Sequence, residues 1–194
     1  IIANIKTPKY GKYAVLGNHD YGDYVKFDTE VDKKQNFNQI LKFYSDLGFT
    51  LLNNQNVAIT NQKDTISLIG VENWGRKFIQ KGDLKLASKN VNPNHFKILL
   101  SHDPSHFELE VINNKTFYDL TLSGHTHGFQ FGIEIPGYLQ WSPVKWVYKH
   151  WAGLYNENGR YLYVNRGFGY HGYPGRVGVR PEITILTLQY DQNK

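Results

Sequence analysis

Apolar residues along this chain come in short runs that stop abruptly at glycine or polar residues. Stretches 13–16, 65–71, 96–100, 120–122 and 161–164 are each mostly apolar and of strand length. Such runs predict strands covered on both faces. The pieces at 50–52 and 57–60, set off by Asn, Gln, Lys and Asp, predict an antiparallel meander with 65–71. Further strands are predicted at 130–135 and 183–188. Between Asp32 and Leu47 the period changes: Phe37, Ile40, Leu41 and Tyr44 fall at i, i+3, i+4 and i+7, and Gly48 follows. That spacing predicts an amphipathic helix that packs and carries no chemistry. A short helix is predicted over 82–89. Asp103 and Pro104 read as an N-cap and first helical residue, so a helix should run to about Val111, with His106 on its outer side. Ser142 and Pro143 predict a helix to about Trp151, with aromatics and with Lys145 and Lys149 four apart. It is either an interfacial membrane helix or, on balance, one packed on the sheet with its lysines in water.

Composition narrows the classes. At 194 residues the chain is one domain or a large piece of one, able to bury a core. It contains no cysteine, which excludes disulfides, thiolate metal sites and a cysteine nucleophile. No apolar run reaches the roughly 20 residues of a membrane span. The chain opens on Ile1-Ile2-Ala3 without methionine, as expected for a fragment. A net charge of +5 suits a phosphate-bearing substrate or an anionic surface, or is simply a mild lysine excess. The lysines are dispersed, which disfavours nucleic acid.

Chemistry gathers where the predicted strands end. Residues 13–16 empty into Gly17-Asn18-His19-Asp20, 96–100 into Ser101-His102, and 120–122 through Ser123 into Gly124-His125-Thr126-His127-Gly128. Glycine lets the backbone turn sharply beside a ligand. Neutral imidazole is the commonest side-chain metal ligand, and an amide oxygen is another. Any one of these endings is equally well a hydrogen-bonded turn; three in one domain favour a metal centre. Asp20 can fix the tautomer of His19. The glycine-rich loop 165–176 places Arg166 and Arg176 either against a phosphate or in a tight surface connection.

In this order, Gly-Asn-His-Asp, Ser-His and Gly-His-Thr-His resemble the motifs of the calcineurin-like metallophosphoesterase family. Ser101-His102-Asp103-Pro104-Ser105-His106, Tyr163-Val164-Asn165-Arg166-Gly167-Phe168-Gly169 and Gly175–Ile183 are similar to its membrane-associated bacterial branch. The resemblance implies an α/β fold, a four-layer α/β/β/α sandwich of mixed sheets. It also implies two divalent transition-metal ions, among Mn, Fe, Zn, Co and Ni. By that resemblance Asn18, His102 and His125 hold one ion, His127 helps hold the other, and His19, steadied by Asp20, assists the leaving group. The implied reaction is attack by a metal-bridging hydroxide on a phosphomonoester, phosphodiester or pyrophosphate, in that branch of a lipid-linked or cell-envelope substrate.

One departure follows. The family also uses D-x-H and G-D-x-x-D motifs, and no Asp or Glu precedes Asp20 here. The expectation is therefore a single domain, 1–194, that is the C-terminal part of the fold, incomplete at its N-terminus and inactive alone. A missing N-terminal segment, a second copy or another chain would cover the sheet edge. The whole protein would be membrane-associated, this piece soluble. A non-catalytic scaffold is the alternative, disfavoured by the His19-Asp20 pair, and a nuclease of the same family is another.

Overall fold

The computed structural model describes residues 6–61, 64–135 and 137–189. Its centre is a six-stranded mixed sheet in the order β3-β4-β5-β6-β10-β9. The strands are β3 (Gln55–Asn61), β4 (Asp64–Gly70), β5 (Phe96–Leu100), β6 (Leu120–Ser123), β9 (Gly153–Glu157) and β10 (Arg160–Val164). β4, β5, β6 and β10 run parallel, and β3 and β9 flank them antiparallel. β1 (Lys12–Ala14) and β2 (Phe49–Leu51) form a separate parallel pair. β2 is thus not part of a meander with β3 and β4, because its partner is β1.

The parallel strands are continuous apolar runs because both of their faces are covered. Ile69, Leu99, Leu162 and Val164 point to one side, against Phe107, Val111, Leu84 and Ala87. Leu68, Ile98 and Leu120 point to the other, against Leu52, Tyr13 and Val15. The register Gly70↔Leu100, Leu100↔Leu122 and Val164↔Ser123 brings the carboxyl ends of four strands to one edge. In open α/β sheets that edge is where ligands bind.

Helix α1 (Glu30–Asp46) starts at Thr29, whose side chain accepts from the Asp32 N–H. Its predicted face is the less exposed one. α2 is Leu84–Ala87, capped by Asp83. The Asp103 carboxylate accepts from the Ser105 N–H at 2.8 Å, and the helix that follows ends in a wide turn, Phe107–Val111. His106 does not face outward. It is fully buried, stacked on Trp74 at 4.8 Å and bonded through Nδ1 to Ser101 Oγ at 2.8 Å, because the 72–75 loop closes over this first turn.

Three expectations fail in the second half. Residues 142–151 form only a short 3-10 turn, Pro143–Trp146, after which Tyr148 and His150 turn inward to polar partners. The strand predicted over 130–135 is shortened to β7 (Ile133–Ile135), because residues 127–130 form a 3-10 turn with positive φ. Residues 183–188 are not a strand; Ile183 and Ile185 are 82% and 91% exposed. Their alternation suits a strand, but among the described residues no strand pairs with them, and an unpaired strand is unstable in water. β7 pairs with β8 (Leu139–Trp141) in a hairpin, with Ile133 opposite Trp141 and Ile135 opposite Leu139. One face of this hairpin is therefore apolar, and Trp146 packs edge-on against Trp141.

Candidate metal centre

Each site residue sits where a strand gives way to a turn. After β1 the chain enters a 3-10 turn, Asn18–Tyr21, and buries Asn18. The Asn18 amide is oriented by Tyr24: Nδ2 donates to the phenol oxygen at 2.8 Å, leaving Oδ1 to face inward. His102 follows β5 and is fixed by the Gly124 N–H, which donates to its carbonyl at 2.9 Å. His125 follows β6 with φ +67, the left-handed region that favours glycine.

These three side chains converge. Asn18 Oδ1 lies 3.0 Å from His102 Nε2 and 3.1 Å from His125 Nδ1, and the two nitrogens are 3.1 Å apart. All are lone-pair atoms, and two neutral imidazoles cannot supply a proton to every edge of the triangle. A divalent ion resolves the conflict: donors ~2.1 Å from one ion and at right angles about it stand ~3.0 Å apart. The residues present fit a metal. Among the described residues no three His, Cys, Asp or Glu side chains group to hold an ion by themselves; here an asparagine amide completes the set.

The electrostatics keep the lone pairs free. Burial, then the neighbouring histidines 125, 127 and 19, pushes His102 down to about 3. His125 falls to about 4 through burial and the nearby His19 and His171. His127 falls to about 4 through burial, then Arg176 and the other histidines. Near neutrality all three are uncharged and can ligate. Behind the trio, His125 Nε2 meets the Tyr148 hydroxyl at 2.8 Å and lies 3.6 Å from Asp103 Oδ2.

His127 lines a cleft of about 330 Å³ together with His19, His102, Asp20, Tyr44 and His171. Its Nδ1 is buried without a hydrogen-bond partner among the described residues. His19 is exposed at the mouth, stacked on Tyr24 at 4.4 Å with His171 edge-on at 5.2 Å. Asp20 does not bond to His19. Its carboxylate accepts from the Gly17 N–H at 2.7 Å and from Tyr44, so it shapes the turn. Burial raises its carboxyl above the usual range. A larger hollow of about 600 Å³ between β2, β3 and α2 holds no carboxylate or imidazole and lies apart from this chemistry.

The two arginines differ. Arg166 is committed to Glu134 at 2.6 Å and Glu182 at 2.7 Å. Arg176 donates to the carbonyls of Gly169, Arg166 and His127, and among the described residues no carboxylate stands within ion-pair distance of it, although Glu182 lies near enough to act on its charge. Sequence reasoning missed His171, Tyr148 and Asp103 as neighbours of the site. Only the position of His171 in a glycine-rich loop after a strand pointed toward it.

The chain thus brings together an amide that follows β1 and imidazoles that follow β5 and β6, a donor set suited to a metal ion. The comparisons make this specific: residues 2–129 match the calcineurin-like phosphoesterase family, and the chain belongs to it. Its fold is accordingly the α/β fold of that family. The chain is 31% identical to an uncharacterised metallophosphoesterase of Aquifex aeolicus, over 94% of this chain and 62% of that protein. It is 32% identical to the transmembrane protein with metallophosphoesterase domain of Bos taurus, over 93% and 39%. To the UDP-2,3-diacylglucosamine pyrophosphatase LpxG of Chlamydia muridarum it is 27% identical, over 93% and 65%. It thus spans roughly 39–65% of the length of these relatives. No solved structure matches it significantly. No described helix is long and apolar enough to cross a membrane.

Proposed function

We propose that this chain carries part of a phosphohydrolase site that cleaves a phosphomonoester, phosphodiester or pyrophosphate bond in a lipid-linked substrate. The observation that carries the reading is the meeting of Asn18 Oδ1, His102 Nε2 and His125 Nδ1 within 3.1 Å. These three would hold one divalent ion, and His127 would help hold a second, completed by carboxylates from polypeptide outside these 194 residues. Imidazole and amide donors suit Mn, Fe, Co, Ni or Zn better than Ca. Bound there, the ions would draw charge from a phosphoryl oxygen and acidify water.

The chain's own groups do the rest. His19, lowered by burial and by His171, is a neutral N–H donor at the cleft mouth, where it can meet a leaving oxygen. Tyr24 and His171 set the angle of its ring. Arg176 places a positive charge beside His127, fitting an anionic substrate. The apolar hairpin face of Ile133, Ile135, Leu139 and Trp141 begins three residues after the 127–130 turn, which favours a substrate with an acyl or polyprenyl tail. The pyrophosphatase relative, whose substrate name includes diacyl, supports the same class.

The test is hydrolysis of bis-p-nitrophenyl phosphate with Mn²⁺ by the protein translated from the whole reading frame. His125→Ala should cost several kcal/mol of transition-state stabilisation, at least about 10³-fold in rate. The 194-residue chain alone should bind metal without turnover. Full activity in the His125→Ala protein would overturn the proposal.

A further inference from the structure

We infer that Tyr148 and Asp103 are positioning residues that hold His125 in the one tautomer able to bind a metal. The inference rests on the metal-centre reading above and concerns two residues outside the ligand set. A neutral imidazole carries one proton, so a lone pair on Nδ1 requires the proton on Nε2. His125 Nδ1 is the atom that faces Asn18 and His102, and Nε2 is the atom that faces Tyr148 Oη at 2.8 Å and Asp103 Oδ2 at 3.6 Å. The Asp103 carboxylate can only accept and so favours a proton on Nε2, which the Tyr148 oxygen, able to donate or accept, then accepts. Ligating histidines commonly have their second nitrogen held this way by an oxygen acceptor.

The Asp103 carboxylate has different neighbours at its two oxygens. It is 1% exposed. Its Oδ1 caps the following helix through the Ser105 N–H at 2.8 Å, which pins the group. Its Oδ2 is buried with no hydrogen-bond partner among the described residues, an arrangement that is costly unless positive charge develops nearby. An ion held by the far nitrogen of His125 would supply that charge through the ring. Gly75 closes the opposite side: a Cβ there would stand 2.3 Å from Oδ2. Tyr148 reaches His125 because the chain after the 143–146 turn folds inward, with the Tyr148 N–H bonded to the Val144 carbonyl at 2.9 Å. Phe78 covers the ring edge-on at 4.8 Å.

Asp103→Asn keeps the helix cap through its oxygen and sets an N–H donor against Nε2, driving the ring proton to Nδ1. Tyr148→Phe keeps the ring and removes the oxygen. The experiment is long-range ¹H–¹⁵N correlation NMR of the metal-free 194-residue chain, followed by Co²⁺ titration, for wild type, both variants and His125→Ala. The wild type should show His125 as the Nε2–H tautomer. Asp103→Asn should show Nδ1–H, and Tyr148→Phe a mixture. Each should weaken Co²⁺ binding about 10- to 100-fold with thermal unfolding still cooperative. A wild-type tautomer and wild-type Co²⁺ affinity in both variants would overturn the inference while the metal reading stands. Absence of His125-dependent Co²⁺ uptake by the wild type would overturn both.

Discussion

Gly17 and Gly124 flank the site in the same way along the sequence, each just before a ligand, yet the structure separates them. A Cβ added at Gly17 would lie 2.7 Å from His102 Cε1 and 2.8 Å from both ring nitrogens. Carbon contacts settle at about 3.5 Å or more, so the ring must retreat by roughly 0.7 Å. Metal–ligand distances tolerate about 0.2 Å, so the shift takes Nε2 out of the triangle with Asn18 and His125. The Gly17 backbone, at φ −105 and ψ 176, is open to alanine, so the effect comes from contact alone. Overpacking of this kind costs about 1–3 kcal/mol of stability. At Gly124 the nearest atom to an added Cβ is the Asn165 carbonyl at 3.7 Å, an ordinary contact. Isothermal titration with Co²⁺, paired with urea unfolding of the metal-free chain, reads both effects. Gly17→Ala should bind at least about tenfold more weakly, about 1.4 kcal/mol, and Gly124→Ala within about twofold of wild type. Wild-type affinity in Gly17→Ala would refute the reasoning, because the ring would then not be where the metal needs it.

Acid should act through the buried histidines, of which His106 lies away from the metal site. Burial lowers it to about 4 in the folded chain, against roughly 6.5 unfolded, so the unfolded state binds the extra proton between those values. Its contribution is intact above pH 6.5 and fades as pH falls toward 4, a loss of about 2 kcal/mol by pH 5. The stability gap between wild type and His106→Gln should shift by that amount between pH 7.5 and 5; a gap that ignores pH contradicts it. Arg166→Met strands Glu134 and Glu182 and should lower stability by about 2 kcal/mol in urea, whereas an unchanged midpoint would make those ion pairs incidental. Replacing Ile133 and Ile135 together by serine should reduce flotation with phosphatidylglycerol vesicles, since both are about half exposed on the hairpin face; equal flotation would reject that face as a lipid contact.

Much of the site was readable because its residues stand at abrupt ends of apolar runs, and parallel strands bring such ends to one edge. β5 and β6 bring His102 and His125 together for that reason, while Asn18 reaches them from β1 of the other sheet, 107 positions before His125. Partners set by tertiary contact were not readable. Asp103 announced only a helix cap, and its second oxygen reaches His125 through packing of the 72–75 loop. His106 looked exposed from helical position alone. The stretch 142–151 has a helix start signal, but the polar partners of Tyr148 and His150 pull the chain out of helical register. β9 and its hairpin to β10 were missed despite a legible turn, Asn158-Gly159, in which both residues have positive φ.

The most direct measurement is anomalous X-ray scattering from crystals of this chain soaked in Mn²⁺. One strong peak should lie about 2.1–2.3 Å from Asn18 Oδ1, His102 Nε2 and His125 Nδ1 and vanish in His125→Ala. Mn²⁺ found only elsewhere on the chain, or a peak at the triangle that survives the loss of His125, would contradict the assignment.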